Sequence, residues 1–186
     1  MPDNSEAAIA REILAHLVHS RAADHFQEYE FKLPSRRRLM PATAGFLRQQ
    51  IKVFEICDEK RILQLGIALE EALLNACLHG NLELDSALRE PDGNRFEALA
   101  DERSERSPWK ERHVYVHASI SQDRATIIIR DEGEGFDPES LPDPTEPDNL
   151  LKPHGRGVML MKSFLDTVTW NSSGNEVTMI LNANRD

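Results

Sequence analysis

Residues 59–80 read EKRILQLGIALEEALLNACLHG and predict the strongest helix of the chain. One apolar face runs along this helix at helical spacing, and Ile67 and Leu74 lie almost opposite that face. A helix that is apolar on two sides is expected to be packed deeply, so each polar side chain on it needs a reason. Gly80 is a suitable C-terminal stop.

Three polar residues of this helix, Glu71, Asn75 and His79, are spaced by four and therefore stack on one stripe beside the apolar face. Glu71 and Asn75 could share one ligand. The neutral oxygen of Asn75 suits a Mg²⁺ ion that keeps several waters and takes other ligands from phosphates. Glu71, one turn earlier, could accept a proton from an attacking hydroxyl. The polar edge of a packed helix would look the same, so this segment alone does not decide between the two interpretations.

A second segment, DEGEGF at residues 131–136, follows an apolar strand. Asp131 stands at the strand end, where a carboxylate can accept a hydrogen bond from an exocyclic amine such as that of adenine. Gly133 and Gly135 let the backbone approach a ligand without a Cβ in the way. A plain turn explains the same letters equally well.

A third segment, HGRG at residues 154–157, ends a proline-rich loop and opens a helix. Free amide groups and the positive end of the helix dipole suit a phosphate at such a place. A flexible helix start is the alternative for this motif taken alone.

The remaining pattern predicts the other elements and the fold class. Helical spacing indicates helices at 5–20, 40–56 and about 157–165, and alternation indicates strands at 27–33, 113–120, 124–131, 166–171 and 176–182. Residues 83–112 are polar and mixed in charge, and we interpret them as an insertion outside the pocket, with short helices around Phe96 and Leu99, anchored by Phe96 and Trp109. This order predicts an α+β fold, a two-layer α/β sandwich with a mostly antiparallel sheet and helices on one face.

Composition narrows the function classes. The net charge of −10 argues against nucleic-acid binding. No apolar run approaches the length of about 18 residues that spans a bilayer, and the first residues lack a signal-peptide pattern, so we expect no membrane contact and a cytoplasmic location. Cys57 and Cys77 are expected to be buried free thiols. The basic cluster at residues 36–38 is either a solvated turn or a patch for a partner.

The order and separation of the three motifs resemble the GHKL (gyrase-type) ATPases over residues 27–182. The N box of that superfamily matches EALLNACLHGN (71–81), the G1 box matches Asp131 to Gly135, and the G2 box matches Gly155 and Gly157. A G3-like element matches GNEVTMI (174–180), with Thr178 near the adenine. The resemblance implies ATP and Mg²⁺ as ligands, an N-terminal helical extension over 1–26, an ATP-binding domain over 27–182, and an ATP lid at 138–156.

Within the superfamily, the chain most resembles the anti-sigma-factor serine/threonine kinases of bacteria. That resemblance implies an ATP-dependent protein kinase that phosphorylates an antagonist protein, with a sigma factor and an anti-anti-sigma protein as partners. It implies that Glu71 is the general base, that Asn75 holds Mg²⁺ and that Asp131 reads adenine. The long insertion and the glycine-poor G2 box depart from the family pattern, so the partner and the lid geometry stay open. A homodimer is possible.

The candidate site residues are Glu71 as the catalytic base, Asn75 as the metal ligand and an ATP contact, and, as further ATP contacts, His79, Asp131, Gly133, Gly135, His154, Gly155, Arg156, Gly157 and Thr178. Two alternatives use the same pocket: an ATP-dependent switch that holds a regulator with little turnover, and an ATPase that activates water. Glu71 favours a catalyst, because a pure binder needs no base. None of the seven histidines is followed by Glu or Asp, so a sensor histidine kinase is not expected.

Overall fold

The computed structural model describes residues 6–85, 94–137 and 156–183. Along the chain the elements are α1 (Glu6–Ala15), β1 (Leu17–Ala23), β2 (Phe26–Pro34), α2 (Leu39–Val53), α3 (Glu59–Leu74) continued by a π-helical segment (Asn75–Asn81), α4 (Asn94–Ser104), a 3₁₀ turn (Trp109–Glu111), β3 (His113–Ser121), β4 (Arg124–Arg130), α5 (Arg156–Phe164), β5 (Thr167–Trp170) and β6 (Glu176–Asn182).

The six strands form one antiparallel sheet in the order β1-β2-β3-β4-β6-β5. Along β3, β4 and β6 every second side chain is buried, so one face of the sheet carries the core. The helices supply the other half of that core through fully buried residues such as Leu47, Leu65 and Leu69. The predicted α+β two-layer sandwich is therefore confirmed.

The N-terminal prediction is partly wrong. Residues 6–15 are helical, but residues 17–23, whose first part was expected to continue the helix, form the edge strand β1. Pairing with β2 decides this, and the amide of Lys32 also donates to the carbonyl of His16 (3.0 Å). Of the residues of β1 only Leu17 is even partly buried, so side-chain burial does not explain the strand. The backbone hydrogen bonds of β1 to β2 therefore override the weak helical periodicity of this segment.

The three arginines at residues 36–38 form ion pairs with carboxylates of the same chain. Arg38 pairs with Glu12 of α1 (2.7 Å) and Arg37 with Glu97 of α4 (2.8 Å). Arg36 lies between Glu12 and Glu105. These pairs are largely exposed and each adds little stability. The pairs connect the turn at residues 36–38 to α1, to α4 and to Glu105 just after α4.

The central helix is less deeply packed than its sequence indicates. The apolar face along α3 is buried as expected, but Ile67 on the opposite side is 39% exposed and Leu63 is 56% exposed. The helical stretch Glu59–Asn81 has the length and composition of a membrane-crossing helix, although half of its most apolar window is buried inside the protein, as in the core helix of a packed domain. Buried Cys77 lies on this stretch, and Cys57 just before it is only partly buried.

The insertion at 83–112 contributes to the core, and both residues that were predicted to anchor it pack there. Phe96 and Ala100 of α4 are buried. Trp109 packs against the core and its indole N–H donates to the carboxylate of Glu83 (3.0 Å), while the guanidinium of Arg103 lies over the indole ring.

Candidate functional site

A cavity of about 740 Å³ opens between the helical layer and the ends of β4 and β6. The C-terminal half of α3 and the π-helical segment form one wall, and the first turns of α5 form another. The turn at 172–175 and residues 135–136 close the end near β4. All three sequence motifs therefore contribute to one concave site, which is the usual form of a small-molecule pocket.

The N-box helix and the start of α5 meet at Gly157. Glu71 and Asn75, one helical turn apart, both line the cavity and are partly exposed. A Cβ at residue 157 would overlap the Oε2 atom of Glu71 and would lie 3.4 Å from Nδ2 of Asn75. A side chain at residue 157 would have to displace the end of the Glu71 side chain, whereas glycine lets the first turn of α5 lie against it.

The G1 segment is packed just as closely on the other end of the N-box helix. Asp131 is 8% exposed, and its carboxylate accepts a hydrogen bond from the amide of Gly133 (2.9 Å). A Cβ at Gly80 would overlap that carboxylate. Burial raises the pKa of Asp131 to about 6, despite the opposing effects of the Gly133 amide and the Arg112 guanidinium.

The structure gives a reason for the glycines of the G1 segment that the sequence did not indicate. A Cβ at Gly133 would overlap the carbonyl oxygen of Gly80. Gly135 has φ +76° and lies against the carbonyl of Ser173, while Gly174, with φ +72°, lies against the backbone of Phe136. These glycines serve close packing of protein backbone on protein backbone, and of the two predicted ATP contacts Gly135 alone lines the cavity.

His79 lies in the same wall, two turns beyond Glu71 along the helix. Its Nδ1 atom is 2.6 Å from the carbonyl oxygen of Leu84, so Nδ1 carries the proton that is donated there. The imidazole also tilts against the ring of Phe96, with centroids 6.3 Å apart. These contacts couple the cavity wall to the insertion.

A comparison with protein-family models matches residues 33–181 to the histidine kinase-like ATPase domain. The chain belongs to this family. A comparison with curated proteins finds no match. The protein is thus an ATP-binding domain of the GHKL type, and the cavity joins the three motifs by which such a domain is recognised in its sequence.

Several predicted site residues lie outside the described residues or do not line the cavity. His154, Gly155 and most of the predicted lid at 138–156 lie outside the described residues, as does the side chain of Arg156, whose backbone begins α5. Thr178, predicted to lie near the adenine, does not line the cavity. Val177 does, and successive side chains of a strand point to opposite faces, so Thr178 faces the other side of the sheet.

The cavity also includes residues that the sequence did not indicate. Leu84 and Asp85 line it, so the prediction that the insertion lies wholly outside the pocket is wrong at its start. Phe136 and Trp170 form an edge-to-face aromatic pair at the cavity wall, with ring centroids 6.1 Å apart. The turn residue Asn175 lines the cavity too, and its carbonyl accepts from the amide of Asp131 (3.0 Å).

The charges around the cavity bear on which ligands fit. Four acidic residues line it: Glu71, Asp85, Asp131 and Glu176. Within the described part of the chain, no Lys or Arg lines the cavity and no three His, Cys, Asp or Glu side chains form a metal cluster. Mg²⁺ would suit a nucleotide bound beside these carboxylates, because it binds through few protein oxygens and several phosphate oxygens. Asn75 fits that role.

Proposed function

We propose that this protein binds Mg-ATP in the cavity and transfers the γ-phosphoryl group to a serine or threonine of an antagonist protein, as the anti-sigma-type kinases do. The observation that carries the proposal is the close approach of Gly157 to Glu71, with Asn75 beside it: a Cβ at residue 157 would overlap Oε2 of Glu71 and lie 3.4 Å from Nδ2 of Asn75. It places a helix N-terminus, a site suited to phosphates, beside a carboxylate and a carboxamide.

The orientation of the nucleotide follows from the two ends of the N-box helix. Glu71 lies at the α5 end, and Gly80, nine residues further along the helix, lies against Asp131. Asp131 accepts a hydrogen bond from the adenine amino group, and the phosphates extend toward Asn75 and α5. Asn75 would hold a Mg²⁺ ion together with the phosphates, and that ion would neutralise negative charge on the transferring group.

In the proposed reaction, a carboxylate oxygen of Glu71 takes the proton of the substrate hydroxyl. The hydroxyl oxygen forms a bond to the γ-phosphorus, and the bond from that phosphorus to the β–γ bridging oxygen breaks, so that ADP leaves. Glu71 is partly exposed, which leaves a side on which a protein substrate can approach. The resemblance to anti-sigma factors supports a sigma factor and its anti-anti-sigma antagonist as the cytoplasmic partners.

One observation favours a second candidate, an ATP-dependent switch with slow turnover. Phosphoryl transfer is commonly stabilised by an Arg or Lys at the γ-phosphate. The described residues lining the cavity include neither. A protein that changes its affinity for a regulator between ATP and ADP would need no such cation.

Glu71→Gln separates these candidates. The protein, fixed on beads, is incubated with lysate of its source cells in Mg-ATP or Mg-ADP, and the captured proteins are then assayed for label from ATP carrying a labelled γ-phosphate. The kinase proposal expects a captured protein labelled on serine or threonine, with transfer slowed about 10²–10⁴-fold by Glu71→Gln.

Glu70→Gln is the matched control. Glu70 is exposed and lies about 100° around the helix from Glu71, so its variant should transfer phosphate normally. Nucleotide-dependent capture without labelling would support the switch instead. Loss of transfer in Glu70→Gln, with full transfer in Glu71→Gln, would show that the base is misassigned.

A further inference from the structure

Asn81 is a fully buried polar residue at the point where the N-box helix ends. Its side chain and backbone make three hydrogen bonds to three other parts of the chain. Oδ1 accepts from the amide of Glu132 (2.7 Å), Nδ2 donates to Oγ of Ser35 (2.9 Å), and the carbonyl accepts from the guanidinium of Arg112 (2.8 Å). Asn81 is not among the residues that line the cavity.

The partners of Asn81 fix its orientation. An amide N–H can only donate, so the atom facing Glu132 must be the carbonyl oxygen of the side chain. The hydroxyl of Ser35 donates in turn to the carbonyl of Arg112 (2.9 Å), which leaves its lone pairs for Nδ2 of Asn81. The carboxamide therefore has one arrangement that satisfies all these groups, and it is held rigidly.

The bond to Glu132 matters because Glu132 directly follows Asp131. A hydrogen bond from Asn81 thus fixes the backbone immediately after Asp131 to the end of the N-box helix. Gly80, the residue before Asn81, contacts the Asp131 carboxylate itself. The side chain of Glu132 gives a second attachment, since it accepts from the amide of His113 (2.7 Å) at the start of β3.

We propose that Asn81 is a positioning residue for adenine recognition: without touching the nucleotide, it holds Asp131 at the distance from the N-box helix at which the carboxylate meets the adenine amino group. This inference rests on the proposed role of Asp131 as the adenine-reading residue. The proposed role concerns only the adenine end of the cavity, because Asn81 would affect binding of the base and not of the metal or the phosphates.

A comparison of ATP with inosine triphosphate tests the role directly. Inosine lacks the exocyclic amine, so Asp131 gains nothing from it. In the wild type we expect tighter binding of Mg-ATP than of Mg-ITP by calorimetry. Asn81→Ala should weaken Mg-ATP about tenfold, leave Mg-ITP within about twofold, and so lose the preference, because a buried amide loses its acceptor and the loop is released. Asp131→Asn should lose the preference in the same way.

Two variants separate positioning from simple loss of stability. Leu47→Ala removes a fully buried side chain of α2 and should lower stability while keeping the ATP preference. Asn81→Asp retains an acceptor for the Glu132 amide and should keep the preference. Should Asn81→Ala fail to fold, Asn81→Ser, whose hydroxyl is too short to reach Glu132, takes its place with the same expectation.

The outcomes are distinct. A folded Asn81→Ala or Asn81→Ser protein that keeps the wild-type preference for ATP would overturn the role of Asn81 alone. Equal loss of Mg-ATP and Mg-ITP affinity would also overturn it, because that pattern indicates a structural effect. A wild type that binds both nucleotides equally would instead overturn the assignment of Asp131, and this inference with it.

Discussion

Gly157 lies directly against the carboxylate of Glu71, so closely that no side chain fits between the first turn of α5 and the N-box helix. Gly157→Ala should therefore displace Glu71 and disturb Asn75. Since the displaced atom is the end of a flexible side chain, we expect the free energy of unfolding to change by less than about 1 kcal/mol. Mg-ATP affinity should fall about tenfold, as measured by calorimetry beside a denaturation curve.

Gly45→Ala is the control for this variant. Gly45 lies within α2 and nothing comes within 4 Å of a Cβ built there. The substitution should stabilise the protein by about 0.5–1 kcal/mol and leave Mg-ATP affinity unchanged. A Gly157→Ala protein that binds Mg-ATP as tightly as the Gly45→Ala protein would show that the contact with Glu71 does not matter for the nucleotide.

Asp131 makes the stability of the nucleotide-free protein depend on pH. Burial raises the pKa of its carboxyl from 3.8 to about 6. Between these two pH values the folded state therefore keeps a proton that the unfolded state releases. Its contribution is thus greatest below about pH 4 and is lost as the pH rises through about 6. Compared with Asp131→Asn, the wild type should lose about 2 kcal/mol of unfolding free energy between about pH 4 and pH 7, because the two pKa values differ by about two units.

Denaturation of both proteins without nucleotide, at several pH values, checks this. Asn keeps an acceptor for the Gly133 amide, so the comparison isolates the charge. A stability difference that stays constant across this pH range would contradict the assigned burial of Asp131. The variant is also expected to be the more stable protein near neutral pH, which would mean that the wild type tolerates a buried charge at its adenine end.

Sequence reasoning succeeded where local pattern decides the structure. Alternation located β2, β3, β4 and β6 to within one residue, and the three motifs indicated the cavity. It failed where distant parts of the chain decide. Leu17 forms part of a strand through its pairing with β2, and Asn81 is buried where Ser35 and Arg112 hydrogen-bond to it. Val177 lines the cavity and Thr178 does not, because the pairing of β6 with β4 puts Val177 opposite Ile129, which also lines the cavity.

Trp170 offers a direct optical signal for ligand entry. The chain has two tryptophans; Trp170 lines the cavity beside Phe136, whereas Trp109 is bonded to Glu83 and does not line it. Mg-ATP should change the tryptophan emission of the wild type and of Trp109→Phe. The response should disappear in Trp170→Phe, because that ring is the one beside the bound nucleotide. A response carried by Trp109 would place the nucleotide elsewhere or indicate movement of the insertion.

The most direct test of the account is calorimetric titration of the wild type and Asn75→Ala with ATP, in Mg²⁺ and in a chelator. Asn75 lines the cavity between Glu71 and the adenine end, and it is the residue assigned to the metal. We expect the wild type to bind ATP more tightly with Mg²⁺ than without it, and Asn75→Ala to lose that difference while still binding adenine nucleotide weakly. Wild-type protein that binds no adenine nucleotide, or Asn75→Ala protein with an unchanged response to Mg²⁺, would contradict the account.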